Sequence, residues 1–236
     1  MDIQALLGAR ALGEDKTENY IHWAEQQLLR GDDSDNIAIL AGLGLDKLID
    51  REEVLFYFQR CLNDKGIELG SRQEQINTFI KYLCQQIIDD AENVYQYSHT
   101  LAQIHFSHTI DGDLLPIWGE LNDDLCMLDS DDPYFWNPEL TRENQREFIG
   151  QVAQQFLRLM ERDIPHDFLS YYWCQSCQQL TRPEWVNKPA GSFKELMATL
   201  TGKRQPVKEP ICLRCHSKTV TSIRLWQGRE LWLNKQ

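Results

Sequence analysis

Apolar positions recur at steps of three and four along the first 164 residues, and that rhythm stops after them. Tyr20, Trp23, Ala24 and Leu28 share one face of a segment over 17–30 that halts at Gly31, a residue suited to a left-handed C-cap. Asp35 precedes NIAILAGL, a short apolar run that reads as a buried helix. Asp50 with Glu53, and Ser71 with Glu74, have capping-box spacing, and each opens a helix. The first carries Val54, Phe58, Cys61 and Leu62 and ends at Gly66; the second carries Ile76, Phe79, Ile80, Leu83 and Ile87. A helix over 93–108 repeats Val94, Tyr97, Leu101 and Ile104. Asp113 is placed to cap the next, with Pro116 in its first turn and Trp118, Leu121 and Leu125 facing inward. Thr141 begins the longest pattern: Phe148, Ile149, Val152, Phe156, Leu159 and Met160, closed by Pro165. Connections this short favour antiparallel packing, and no fixed-period repeat suggests a solenoid.

From Phe168 onward, aromatic, β-branched and turn residues replace the helical period. Here Cys174 and Cys177 stand in YYWCQSCQQL, and Cys212 and Cys215 in EPICLRCHSK. Each Cys-x-x-Cys pair has the spacing to grip one edge of a tetrahedral zinc ion from a tight turn, and four thiolates complete a structural shell with no open position. His216 adjoins the last cysteine and is a substitute ligand that the shell does not need. The 34 residues between the pairs exceed a compact ribbon. Ser192 with Glu195 forms another capping box, which predicts an inserted helix over 193–201 that accounts for the excess. TSIRLWQGRELWLN reads as a terminal hairpin turning at Gln227-Gly228. The fold expected is mainly α: an acidic antiparallel multi-helix domain, residues 1–164, and a small basic zinc-ribbon-like β module, 165–236, holding one zinc ion. Cys61, Cys84 and Cys126 fall in helical patterns and read as small core residues.

Charge sharpens this division. The net charge of −12 splits into −18 over residues 1–164 and +6 over 165–236. The helical body should therefore attract basic surfaces and repel nucleic acid. No apolar run is long enough to span a bilayer, and MDIQALLGARALGEDK lacks the pattern of a secretory signal. Together with the vicinal cysteines this points to the reducing cytoplasm and away from a membrane.

The stretch Tyr20-Ile21-His22-Trp23-Ala24 followed by LLRGDDSDNIAILAGL resembles an uncharacterised group of small all-helical bacterial proteins. These carry a similar YxxWAxxxLxxGxDSxxLxxLAGL segment. The likeness is sharpest over residues 17–43 and extends to about residue 160, leaving the cysteine module outside it. It implies a helical fold and a bacterial source, and no activity.

Three further constellations bear on function. Asp129, Asp131 and Asp132 precede Tyr134, Phe135 and Trp136, so aromatic anchors ringed by carboxylates would suit a basic protein partner; solvated acids with aromatics folded onto the core is the simpler reading. A similar acidic cluster stands at Asp32, Asp33 and Asp35. Arg214, Lys218, Arg224 and Arg229, with Lys203, Arg204 and Lys208 nearby, are interleaved with Trp185, Trp226 and Trp232. That is the composition of a single-stranded nucleic-acid platform, or of a module that spends its tryptophans on its own core. His105, His108, Asp111 and Asp113 lie within nine residues and offer a second metal site of hydrolase type, against a bland role at helix ends. Nucleophile elbows, phosphate loops and dinucleotide fingerprints are absent from the sequence. The reading that follows is a non-enzymatic cytoplasmic protein-interaction module of the immunity or antitoxin kind. A nucleic-acid-associated ribbon protein is the alternative, and a metal-dependent hydrolase the third.

Overall fold

The computed structural model describes residues 2–90, 92–107, 114–128, 130, 136–188 and 208–235. Eight helices come first: α1 (Ile3–Leu12), α2 (Thr17–Leu29), α3 (Asp35–Gly42), α4 (Arg51–Asp64), α5 (Arg72–Asp89), α6 (Val94–Ser107), α7 (Pro116–Met127) and α8 (Gln145–Met160). Strands β1 (Tyr172–Cys174), β2 (Gln179–Thr181), β3 (Pro183–Asn187), β4 (Lys208–Cys212) and β5 (Val220–Ser222) follow, and α9 (Trp226–Leu233) closes the chain. Two compact units result, Met1–Gln86 and Ile87–Gln236.

The first unit is built around Leu6, Tyr20, Trp23, Ala24, Ile37, Leu40, Val54, Phe58 and Leu62, all buried together. Phe58 is its hub, with Tyr20 edge-on at 4.6 Å and Trp23 at 5.4 Å between ring centroids. Side-chain caps fix the entries of α4 and α5. Asp50 accepts from the Glu52 amide at 2.9 Å, and Ser71 and Glu74 exchange hydrogen bonds as a reciprocal capping box. Gly13, Gly31 and Gly66 adopt positive φ where α1, α2 and α4 stop. Asp15, almost fully buried, accepts from Tyr20 Oη at 2.5 Å and from Arg51 Nη2 at 2.7 Å. Those two donors outweigh the burial that opposes ionisation and hold its carboxyl below the usual range.

The second unit packs α6, α7 and α8 with the sheet region and α9. His99 Nδ1 meets Asn122 Oδ1 at 3.4 Å while His105 packs on Gly119, so α6 and α7 run antiparallel, as short connections predict. Trp118 and Phe156 form the centre of its helical core, and Phe168 packs on Trp232 at 4.8 Å. The described strands form one sheet ordered β2-β1-β5 and one two-stranded sheet β3-β4, all antiparallel. The helix expected over 193–201 lies outside the described residues.

Several expectations change. The terminal segment is the helix α9 and not a hairpin. Gly228 is no turn residue; it lets the first turn of α9 lie directly on the end of β5, where a Cβ would meet the Ser222 carbonyl oxygen at 1.9 Å. Cys61 and Cys84 are buried, but Cys126 is exposed near the end of α7. Burial pushes the Cys61 thiol up to about 11. The change in sequence texture near residue 164 is not where the compact units divide, because α6 to α8 pack with the sheet and α9, and the break falls within α5.

Candidate metal centre

Each cysteine pair sits at the end of a strand, and the two turns have the same construction. Cys174 ends β1 and Cys212 ends β4. In the first turn the Gln178 amide donates to the Cys174 carbonyl at 2.9 Å; in the second the His216 amide donates to the Cys212 carbonyl at 2.8 Å. Gln178 (φ 54°) and His216 (φ 55°), each following the second cysteine of its pair, are left-handed. The chain therefore reverses twice through one local geometry, and antiparallel pairing of β5 with β1 brings the second turn back toward the first.

All four Sγ atoms lie within 4.8 Å of one another. Cys174 and Cys215 are 3.5 Å apart, and Cys177 and Cys212 are 3.8 Å apart. Four sulfurs at about 2.3 Å around a tetrahedral ion would have edges of about 3.8 Å. These separations suit a metal of that size, and four thiolates supply a complete tetrahedral donor set. Cys174 and Cys212 are buried, Cys177 is partly covered and Cys215 is exposed, so each close pair joins one buried sulfur to one that solvent reaches. Burial opposes ionisation of Cys212, yet the backbone amides of Cys215 and Arg214 outweigh it and lower its thiol. Burial and the neighbouring thiols raise Cys177. A cluster of thiols that cannot all ionise alone is what a bound dication resolves. Ser176, Ser217 and Thr219 form a hydroxyl triangle beside the turns, with oxygens 2.6 to 2.8 Å apart, and tie one turn to the other.

Lys203 and Arg204 lie outside the described residues, and among the described residues Lys218, Arg224 and Arg229 have partners within the chain. Arg229 is 1% exposed. It donates from Nε to Gln155 Oε1 at 2.5 Å and from Nη1 to the Arg224 carbonyl at 2.5 Å. Burial lowers its pKa to about 10, against the opposing pull of Glu120, Glu139 and Glu230. It cannot touch a nucleic acid. Arg224 pairs with the buried carboxylate of Glu120 and lies 3.9 Å over the ring of Trp136. Burial raises the Glu120 pKa and Arg224 only partly offsets this. Lys218 pairs with Glu209. Trp226 is half-buried against Phe148 and Trp232 is in the core; Arg214 and Trp185 remain exposed.

Of the acidic aromatic loop, Asp129, Asp131, Asp132, Tyr134 and Phe135 lie outside the described residues. Trp136 and Asn137 donate their backbone amides to Asp124, which is buried and raised in pKa by that burial. His108, Asp111 and Asp113 are likewise outside the described residues, while His105 packs on Gly119 and Phe106. Among the described residues, the four cysteines are the one group of three or more side chains arranged to hold a metal. Gln155 and Glu120, which anchor the two arginines, carried no sequence signal, since a lone polar residue on a helix face is ordinarily solvated. Family models, curated proteins and solved structures yield no match to the chain.

Proposed function

We propose that Cys174, Cys177, Cys212 and Cys215 hold one structural zinc ion in a zinc-ribbon-like element, and that the protein is a non-enzymatic interaction module for a basic protein partner. The cytoplasm of a bacterium, and a role of the immunity or antitoxin kind, fit this reading. The observation that carries the metal assignment is the cluster of four sulfurs within 4.8 Å of one another, whose separations of 3.5 Å (Cys174–Cys215) and 3.8 Å (Cys177–Cys212) suit a zinc–thiolate shell. Bound metal would add its binding energy to folding of the sheet region. The partner assignment is supported by the −18 charge of residues 1–164, together with the internal pairing of Arg224, Lys218 and Arg229. With those cations engaged, a nucleic-acid platform on the ribbon is the weaker reading.

The metal assignment is tested by elemental analysis and X-ray absorption on the full chain purified under reducing conditions. One zinc per chain with four sulfur neighbours at about 2.3 Å is expected, and Cys174→Ser or Cys215→Ser should abolish stoichiometric binding. Protein without zinc, or with nitrogen or oxygen in the shell, would refute it. The partner assignment predicts association with a basic protein that weakens as salt rises; binding insensitive to salt would count against it.

A further inference from the structure

The geometry points to residues 44–56 as the surface on which a basic partner seats, with Leu45 and Leu48 as its apolar anchors. This rests on the interaction reading above and names the site of contact. Residues 44–53 are exposed without a break, yet they include three large aliphatic side chains. Leu45 is 90% exposed, Leu48 91% and Ile49 39%. Phe56 follows on α4 at 55%, with the Arg60 guanidinium 5.6 Å from its ring centre. Single exposed leucines are ordinary, but three within five residues, joined to a helix that presents an exposed phenylalanine, form a patch.

The backbone holds this patch outward. Gly44 lies so close to α2 that a Cβ would meet Ile21 Cγ2 at 2.8 Å, and the Asp46 amide donates to the Leu43 carbonyl at 3.3 Å. Leu43 thereby packs against the core, and Leu45 is turned away from it. Asp50 then caps α4 and fixes the far end of the segment. An anchor side chain on ordered backbone loses little freedom on binding, which favours contact over a floppy loop.

Charge selects the occupant. Asp46, Asp50, Glu52 and Glu53 flank the leucines along the chain, against Lys47, Arg51 and the Arg60 that lies by Phe56, and Arg51 is drawn off by Asp15. One helical turn places Glu52 and Glu53 beside Phe56. The unit that bears the patch has 15 acidic residues against 9 Lys and Arg over residues 1–86. An apolar centre with an anionic rim fits a cationic surface offering apolar sockets, such as the face of a basic amphipathic helix, and repels a second copy of this acidic chain.

The test uses the full chain and two synthetic amphipathic helices of equal length, one of Lys and Leu and one of Glu and Leu, followed by fluorescence anisotropy at low salt. The Lys/Leu helix should bind and the Glu/Leu helix should not. The double variant Leu45→Ser, Leu48→Ser should weaken binding at least about tenfold, because both anchors lose their apolar area. Leu213→Ser, an exposed leucine of the second unit, should leave it unchanged. If the Lys/Leu helix binds and the double variant matches wild type, the patch is wrong while a basic partner for the acidic body survives. No binding of the Lys/Leu helix overturns both. A dimer in sedimentation velocity that the double variant abolishes gives the patch to a second copy and overturns the basic occupant.

Discussion

Replacing Arg229 measures how firmly α9 is fastened to the second unit. Its guanidinium supplies hydrogen bonds to Gln155 Oε1 and to the carbonyls of Arg224 and Ile223, and its charge faces the buried carboxylate of Glu120. Gln155 is itself fixed by donating Nε2 to the Trp226 carbonyl at 3.1 Å and to Glu230 Oε1 at 2.8 Å. In Arg229→Ala the two short-bonded acceptors lose their partner, each at a cost of about 1–3 kcal/mol, and the buried charges are left unbalanced. Truncating one side of a buried ionic network costs about 3–5 kcal/mol, and the two arguments agree on about 4. Arg229→Met refills most of the volume and should recover on the order of 1 kcal/mol without restoring the donors. Arg229→Lys keeps the charge but not the fork and should fall between wild type and Ala. Urea unfolding followed by tryptophan emission is a suitable assay, because six of the seven tryptophans belong to residues 87–236. A surface arginine would change stability by about 0.5 kcal/mol or less. A loss that small for Arg229→Ala would refute the buried-network argument.

Three other outcomes follow from particular contacts. Gly228→Ala should destabilise the second unit by more than about 2 kcal/mol, although alanine is intrinsically the better helix former by about 1 kcal/mol, because its Cβ meets backbone; a gain in thermal midpoint would contradict the packing of α9 on β5. His216→Gly and Gln178→Gly should each stabilise the metal-loaded protein by about 0.5–1 kcal/mol through relief of the left-handed backbone, seen as resistance to chelator; loss of metal in His216→Gly would instead make the imidazole a ligand. The depressed carboxyl of Asp15 contributes stability that is complete above the unfolded carboxylate range near pH 4 and is lost as pH falls through the lower folded value. Tyr20→Phe removes one of the donors that depress it, so the gap in stability between wild type and variant should shrink on going from pH 6 to pH 3. An unchanged gap in urea titrations at the two values would dismiss the Tyr20–Asp15 bond as the cause.

Local chemistry was enough to place most helices. The capping box at Ser71 and Glu74, the stops at Gly31 and Gly66 and the apolar stripe of α8 are each decided by neighbours within a turn or two, so the sequence displays them directly. The four cysteines that cluster at the candidate metal centre were equally legible, since Cys-x-x-Cys spacing sets two thiols side by side in one turn. That the two pairs meet was decided by strand pairing: β5 returns alongside β1, and no property of either turn alone requires it. The segment after Ser222 shows the limit most clearly. Trp226, Trp232 and the Gln227-Gly228 step have strand and turn character locally, and they became helix because Gly228 fits against β5 and Arg229 finds Gln155, Arg224 and Ile223 in the interior. Composition likewise made Arg229 a candidate for contact with phosphate, and only the tertiary fold determined that its charge would be spent inside. Short-range hydrogen bonds and side-chain periodicity are written in consecutive residues; which distant surfaces exclude water together is settled only when the chain closes on itself.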